Sequence, residues 1–226
     1  MYLMIRLCIF DMDGLLVDSE RYMWNISLDK AIREQGFVLS DEIHRKFMGT
    51  NDKDVCNILQ NIYGDGFDAE KMLRRCKELN LEITKNGIPL MKGARELLDF
   101  LHVNGIKTCI GTTTNKVGAH ALLKADHLEN DFDAIVCGDE IENGKPAPDI
   151  YLKCLSKFNF DKSEAIILED GNAGAHAAIS SGMRLVLVPD LAILDEEVKQ
   201  KAFRIVDNLG DVIDIIREEN EGTISF

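Results

Sequence analysis

Cys8-Ile9-Phe10-Asp11-Met12-Asp13-Gly14 is an apolar run that stops in two acids one residue apart and then a glycine. On extended backbone, side chains two residues apart point to the same side. Asp11 and Asp13 are therefore expected to share one small space, with Gly14 letting the chain turn away. Carboxylates at the edge of a core call for a positive group beside them. A strand of this kind also calls for sister strands.

Four further runs have the same character: Ile106 to Ile110, Ala134 to Val136, Ala165 to Leu168 and Leu185 to Val188, after a first one spanning Ile5 to Phe10. Near-continuous apolar runs suit parallel strands buried on both faces, joined by crossover helices. Helical stripes lie between and after them. Ala94, Leu97, Leu98 and Leu101 follow the i, i+3, i+4, i+7 pattern, as do Leu209, Val212, Ile213 and Ile216. The expected fold class is α/β, a doubly wound parallel sheet. Residues 18–87 interrupt the alternation: they hold no strand-like run but do hold a helical stripe, Trp24, Leu28, Ala31 and Ile32. The exit, Asn86-Gly87-Ile88-Pro89, has the glycine and proline of a hinge. Residues 1–17 and 88–226 are thus expected to form the α/β core, and residues 18–87 an inserted all-helical domain.

Composition narrows the function. The chain has 226 residues, 46% of them hydrophobic and 29% charged, with a net charge of -13. Such an acidic chain without a basic block repels nucleic acid and anionic membrane surfaces, and no apolar stretch approaches the ~18 residues of a membrane span. The opening MYLMIRLCIF lacks a small-residue cleavage site, so it is not read as a secretory signal. The six cysteines are scattered without a CxxC pair, which suits a reducing compartment. A cytoplasmic protein, monomeric or weakly dimeric, is expected.

In a doubly wound sheet, ligands bind beyond the carboxyl ends of the strands. Four such places carry polar chemistry. The first is the Asp11 and Asp13 pair. The second is Gly111-Thr112-Thr113-Thr114-Asn115, whose hydroxyls and N–H groups ahead of a helix suit a phosphate. The third is Asn143-Gly144-Lys145-Pro146-Ala147-Pro148-Asp149, a stiff loop with one lysine before a helix that begins near Pro148. The fourth is Ile166-Ile167-Leu168-Glu169-Asp170-Gly171, a buried strand that again ends in acids. Taken singly, the first three have plain alternatives: a solvated turn, a helix cap, a solvated lysine. Taken together, three or four carboxylates at one edge repel each other unless a hard divalent cation bridges them. Mg²⁺, Thr112 and Lys145 would then neutralise a phosphoryl group that a free aspartate attacks.

These residues, in this order, resemble the four motifs of the haloacid dehalogenase-like hydrolases, and the position of the insert resembles the branch with a helical cap. The resemblance implies a Rossmann-like core with a helical cap domain and a Mg²⁺-dependent phosphatase acting on a small phosphorylated metabolite, a sugar or polyol phosphate. It implies Asp11 as nucleophile and metal ligand. Asp13 would bind metal through its backbone carbonyl and handle protons through its side chain. Asp170 would complete the metal site, with Glu169 a ligand or close neighbour. Thr112, Thr113 and Lys145 would hold the phosphoryl group. Substrate choice falls to the cap, at Glu20, Gly49, Thr50, Asn51 and Lys53. A phosphomutase like β-phosphoglucomutase is the alternative, but the positions of that enzyme's cap arginine and histidine carry Asp52 and Met23 here. A non-enzymatic phosphate-responsive module is a third reading. The insert and the paired acids favour turnover over it.

Overall fold

A computed structural model describes residues 4–40, 42–43 and 52–221. The chain divides into two compact units, one made of residues up to Asp18 together with those from Pro89 onward, the other running from Ser19 to Ile88.

The first unit is built on six parallel strands: β1 (Leu7–Phe10), β2 (Lys107–Gly111), β3 (Ala134–Val136), β4 (Ala165–Glu169), β5 (Arg184–Leu187) and β6 (Arg204–Ile205). Their order in the sheet is β3-β2-β1-β4-β5-β6. β1 therefore has β2 on one side and β4 on the other, with Phe10 aligned to both Ile110 and Leu168. Strand order reverses direction about β1, and a crevice opens at such a switch point. All four residues of β1 and all five of β4 are buried, as apolar runs covered on both faces must be. This fold class agrees with the one expected from the sequence.

Crossover helices cover the sheet. On one side Leu7, Ile9, Cys109, Ile167, Leu185 and Leu187 pack with Tyr151, Cys154, Ala175, Ala178 and Val198 in one buried cluster. The helical stripe at Ala94, Leu97, Leu98 and Leu101 is fully buried. In the last helix the buried positions are Val212, Ile215 and Ile216, while Ile213 is half-buried. The sequence stripe named Ile213 instead. A tight 3₁₀ turn at Leu209–Asp211 precedes this helix, and its three residues per turn shift the phase of the face that follows. β6 has no counterpart in the sequence reading, because its two residues lie exposed at the sheet edge and form no apolar run.

The chain leaves and re-enters this unit side by side. The Asp18 N–H donates to the Pro89 carbonyl at 2.9 Å, and the Met91 N–H to the Leu16 carbonyl at 3.0 Å. Within the second unit the regular elements among the described residues are helices, from a π-helical turn at Glu20–Ile26 through α-helices Ser27–Arg33, Asp52–Tyr63 and Ala69–Asn86. Leu28, Ala31, Ile32, Val55, Leu59, Phe67, Met72 and Leu79 form its own core. Asp68 caps the longest helix by accepting from the Lys71 N–H at 2.8 Å, as an N-cap carboxylate should.

Candidate active site

The carboxyl ends of β1 and β4 carry the site. Asp11 follows β1 directly, and its N–H donates to the Leu168 carbonyl at 3.0 Å, so the β1 and β4 ends stay in register one residue beyond the strand. Glu169 ends β4 and Asp170 follows it. Asp11, Glu169 and Asp170 are all buried, and each offers a carboxylate oxygen within 4.8 Å of the others. Two glycines make room for them. Gly14 has a φ of +86°, and a Cβ there would meet the Asp170 carboxylate; a Cβ on Gly174 would overlap the Glu169 carboxylate.

Lys145 supplies the positive charge. Its ammonium donates to Asp11 Oδ1 and, at 2.7 Å, to Glu169 Oε1, with only 7% of its side chain exposed. The loop that delivers it is tied to the next helix: the Asn143 N–H and Nδ2 both donate to Asp149 Oδ2, at 3.2 and 3.0 Å. A flexible lysine at the end of a braced loop loses less entropy on pairing than one on a free loop.

Asp13 stays close enough for its charge to act on Asp11, but its carboxylate is held by groups from a different loop. β1 ends at Phe10, and residues 13–17 form a tight turn in which the Gly14 N–H donates to the Val17 carbonyl at 3.0 Å. The rule for extended backbone no longer applies there. The Asp13 carboxylate accepts from the Thr114 hydroxyl at 2.7 Å and from the Thr112 hydroxyl at 3.3 Å. Thr112 is buried and also accepts from the Thr114 N–H at 3.0 Å, whereas Thr113 is exposed. Asn115 caps the following helix through the Gly118 N–H at 3.0 Å. The threonine loop is therefore both a helix cap and part of the acid cluster.

Burial pushes the Asp11 carboxyl up to about 7, with Glu169 and Asp13 adding to the rise and Lys145 opposing it. Burial by itself would lower the Lys145 ammonium, but the Asp11 and Glu169 carboxylates hold it well above its ordinary value, so it is charged. Burial and the Glu169 charge push the Tyr151 phenol up, leaving it a proton donor. Three buried carboxylate oxygens within 4.8 Å of one another are a set of hard oxygen donors of the kind that fits a divalent cation. The acidic cluster could thus bind a metal ion.

Sequence reading missed two residues here. The Tyr151 hydroxyl donates to Glu169 Oε1, and the Lys145 ammonium lies 5.1 Å from the centre of its ring; in the sequence Tyr151 is one apolar position among others in a helix. Thr114 carried a signal as the third hydroxyl of its loop, but nothing assigned it to Asp13. A Cβ on Gly171, just after the acids of β4, meets nothing within 4 Å, so space does not require the glycine. Glu20 opens the π-helical turn of the second unit. Gly49, Thr50 and Asn51 lie outside the described residues, as does the Lys53 side chain.

The family pattern of haloacid dehalogenase-like hydrolases matches residues 8–188. A Drosophila melanogaster protein named "Probable pseudouridine-5'-phosphatase" is 33% identical over 211 residues, covering 90% of each chain. The "Phosphorylated carbohydrates phosphatase" of Thermotoga maritima is 30% identical over 178 residues, covering 79% of this chain and 82% of its own. Among solved structures, CbbY from Rhodobacter sphaeroides in complex with phosphate superposes with a TM-score of 0.73 at 26% identity, covering 92% of this chain and 96% of that one. No described helix is long and apolar enough to cross a membrane.

Proposed function

Because the chain belongs to the haloacid dehalogenase-like hydrolases, we propose that Asp11 is the nucleophile of a Mg²⁺-dependent phosphatase that hydrolyses a small sugar or polyol phosphate. That it is an enzyme acting as a phosphatase follows from the family and its phosphatase relatives. The residues, ion and substrate class are the substance of the proposal. The observation that carries it is the buried Asp11 carboxylate, in contact with the Lys145 ammonium and beside Glu169 and Asp170.

In this reading an Asp11 oxygen bonds to phosphorus as the ester P–O bond breaks, and Asp13 gives its proton to the departing oxygen. The ionised Asp13 then takes a proton from water, whose oxygen attacks the same phosphorus and releases phosphate and Asp11. Lys145, Thr112 and the neighbouring Thr113 hold the remaining phosphoryl oxygens, since this chemistry needs in-line positioning and charge stabilisation more than covalent help. Asp11, Asp170 and the Asp13 backbone carbonyl would hold Mg²⁺, with Glu169 close by. When bound, the ion adds the positive charge that keeps Asp11 ionised and offsets charge building on the phosphoryl oxygens. The names of the two relatives support a sugar phosphate as the substrate class.

The test is phosphate release from a panel of sugar and polyol phosphates with and without Mg²⁺. Asp11→Asn should lower kcat by at least about a thousandfold, as removal of a nucleophile does, and acid quenching of the unmutated enzyme should trap phosphate on protein. Substantial turnover by Asp11→Asn would overturn the assignment.

A further inference from the structure

We infer that Tyr151 is a positioning residue for this phosphatase, holding Glu169 so that Glu169 in turn keeps Lys145 beside the reacting phosphoryl group. The inference rests on the reading of Asp11 and Lys145 given above. Lys145 has two anionic partners, Asp11 and Glu169. In the proposed cycle Asp11 turns its oxygen to phosphorus, and its charge is spent in the new bond. Glu169 is the partner that remains, so it must stay fixed while Asp11 changes.

Glu169 is fixed by donors on both oxygens. Oε1 accepts from the Tyr151 hydroxyl and from Lys145 at 2.7 Å, and Oε2 accepts from the Asp170 N–H at 3.2 Å. Gly174 leaves the space the carboxylate occupies. Tyr151 is itself fully buried, on the helix that follows the Lys145 loop, so the hydroxyl and the ammonium reach the same oxygen from one loop–helix unit. A buried carboxylate deprived of one donor seeks another, and a misplacement of about 1 Å in a positioning group can cost on the order of a hundredfold in rate. Tyr151 touches no reacting atom in this scheme and acts only through Glu169.

The test is Tyr151→Phe, which keeps the ring and removes one oxygen. Far-UV circular dichroism should match that of the unmutated protein, kcat should fall about tenfold or more, and inorganic phosphate should bind about tenfold more weakly by calorimetry. Calorimetry of Glu169→Gln and of the double variant completes a cycle: the double variant should bind phosphate no more weakly than Glu169→Gln alone. Unchanged kcat and phosphate affinity in Tyr151→Phe would overturn the inference, and so would losses that simply add. If Asp11→Asn is inactive in the same preparations, those outcomes remove only the role of Tyr151; if Asp11→Asn still turns over, the nucleophile reading itself has failed.

Discussion

The Thr114 hydroxyl donates to Asp13 Oδ2 at 2.7 Å, tying the loop after β2 to the loop after β1. Thr112 reaches the same oxygen at 3.3 Å. In the proposed cycle Asp13 gives up and takes back a proton, and it is held at one oxygen by hydroxyls that can either donate or accept. Thr114→Val removes the shorter of the two bonds without changing size much. We expect kcat to fall about tenfold and the thermal midpoint to drop by several degrees, since one hydrogen bond to a charged group is worth about 1.5–3 kcal/mol. Steady-state phosphate release measures this, and an unchanged kcat would show that Thr112 alone suffices.

Gly174 faces the Glu169 carboxylate so closely that a Cβ would overlap it. Gly174→Ala must displace either that carboxylate or the helix Asn172–Ser181 that carries the glycine. Overpacking of this kind costs about 1–3 kcal/mol, and here it also moves the partner of Lys145. A lowered midpoint in urea together with strongly reduced turnover is expected. Alanine tolerated in both respects would mean that the Glu169 carboxylate has another place to go.

Asp11, Glu169 and Asp170 bring three buried carboxylates together, two of which share the Lys145 ammonium. Adding Mg²⁺ to protein stripped with a chelator should therefore raise the thermal midpoint, because a ligand that binds only the folded state stabilises it by about 2.7 kcal/mol at a hundredfold its Kd. Asp170→Asn should shrink that rise. Differential scanning calorimetry across a Mg²⁺ series gives the result, and a midpoint indifferent to the ion would remove the metal from the site.

Asp133 ties β2 to the turn before β3. Its carboxylate accepts from the Lys107 ammonium at 2.6 Å and from the Thr108 N–H at 2.9 Å. Burial by itself would raise its pKa, but the hydrogen bonds from Lys107 and Thr108 outweigh burial and hold it below the usual carboxylate value. A group with a depressed folded pKa contributes stability above its unfolded value, near 3.9, and loses it as pH falls through the folded one. Asp133→Asn should therefore destabilise the protein by about 1 kcal/mol at pH 7, and the gap should close below about pH 4. Urea unfolding at both pH values measures it; a gap as wide at low pH would mean that charge plays no part.

Much of the fold was legible because buried parallel strands read as apolar runs and because acids at their ends are conspicuous there. β6 escaped because Arg204 and Ile205 lie exposed at an edge and leave no such run. In the last helix the apolar spacing points to Ile213 where the structure buries Ile215, since the 3₁₀ turn at Leu209–Asp211 changes the angular step before the helix begins. The candidate site was legible in its charged residues and not in the groups that orient them. Tyr151 reads as ordinary core, and no spacing rule couples Thr114 to Asp13.

From the sequence alone came which strands end in acids, where the stiff lysine loop and the hydroxyl loop fall, and that a helical insert follows the first strand. Local patterns suffice for those, because burial and turn chemistry act over a few residues. Only the tertiary structure decided the partners: that Lys145, 134 residues along the chain from Asp11, divides its ammonium between Asp11 and Glu169, that Tyr151 shares the same Glu169 oxygen, and that Asp13 turns to the threonines. Parallel pairing brings all the strand ends to one edge. Which side chains then meet depends on packing at the scale of single atoms, and no sequence period encodes that.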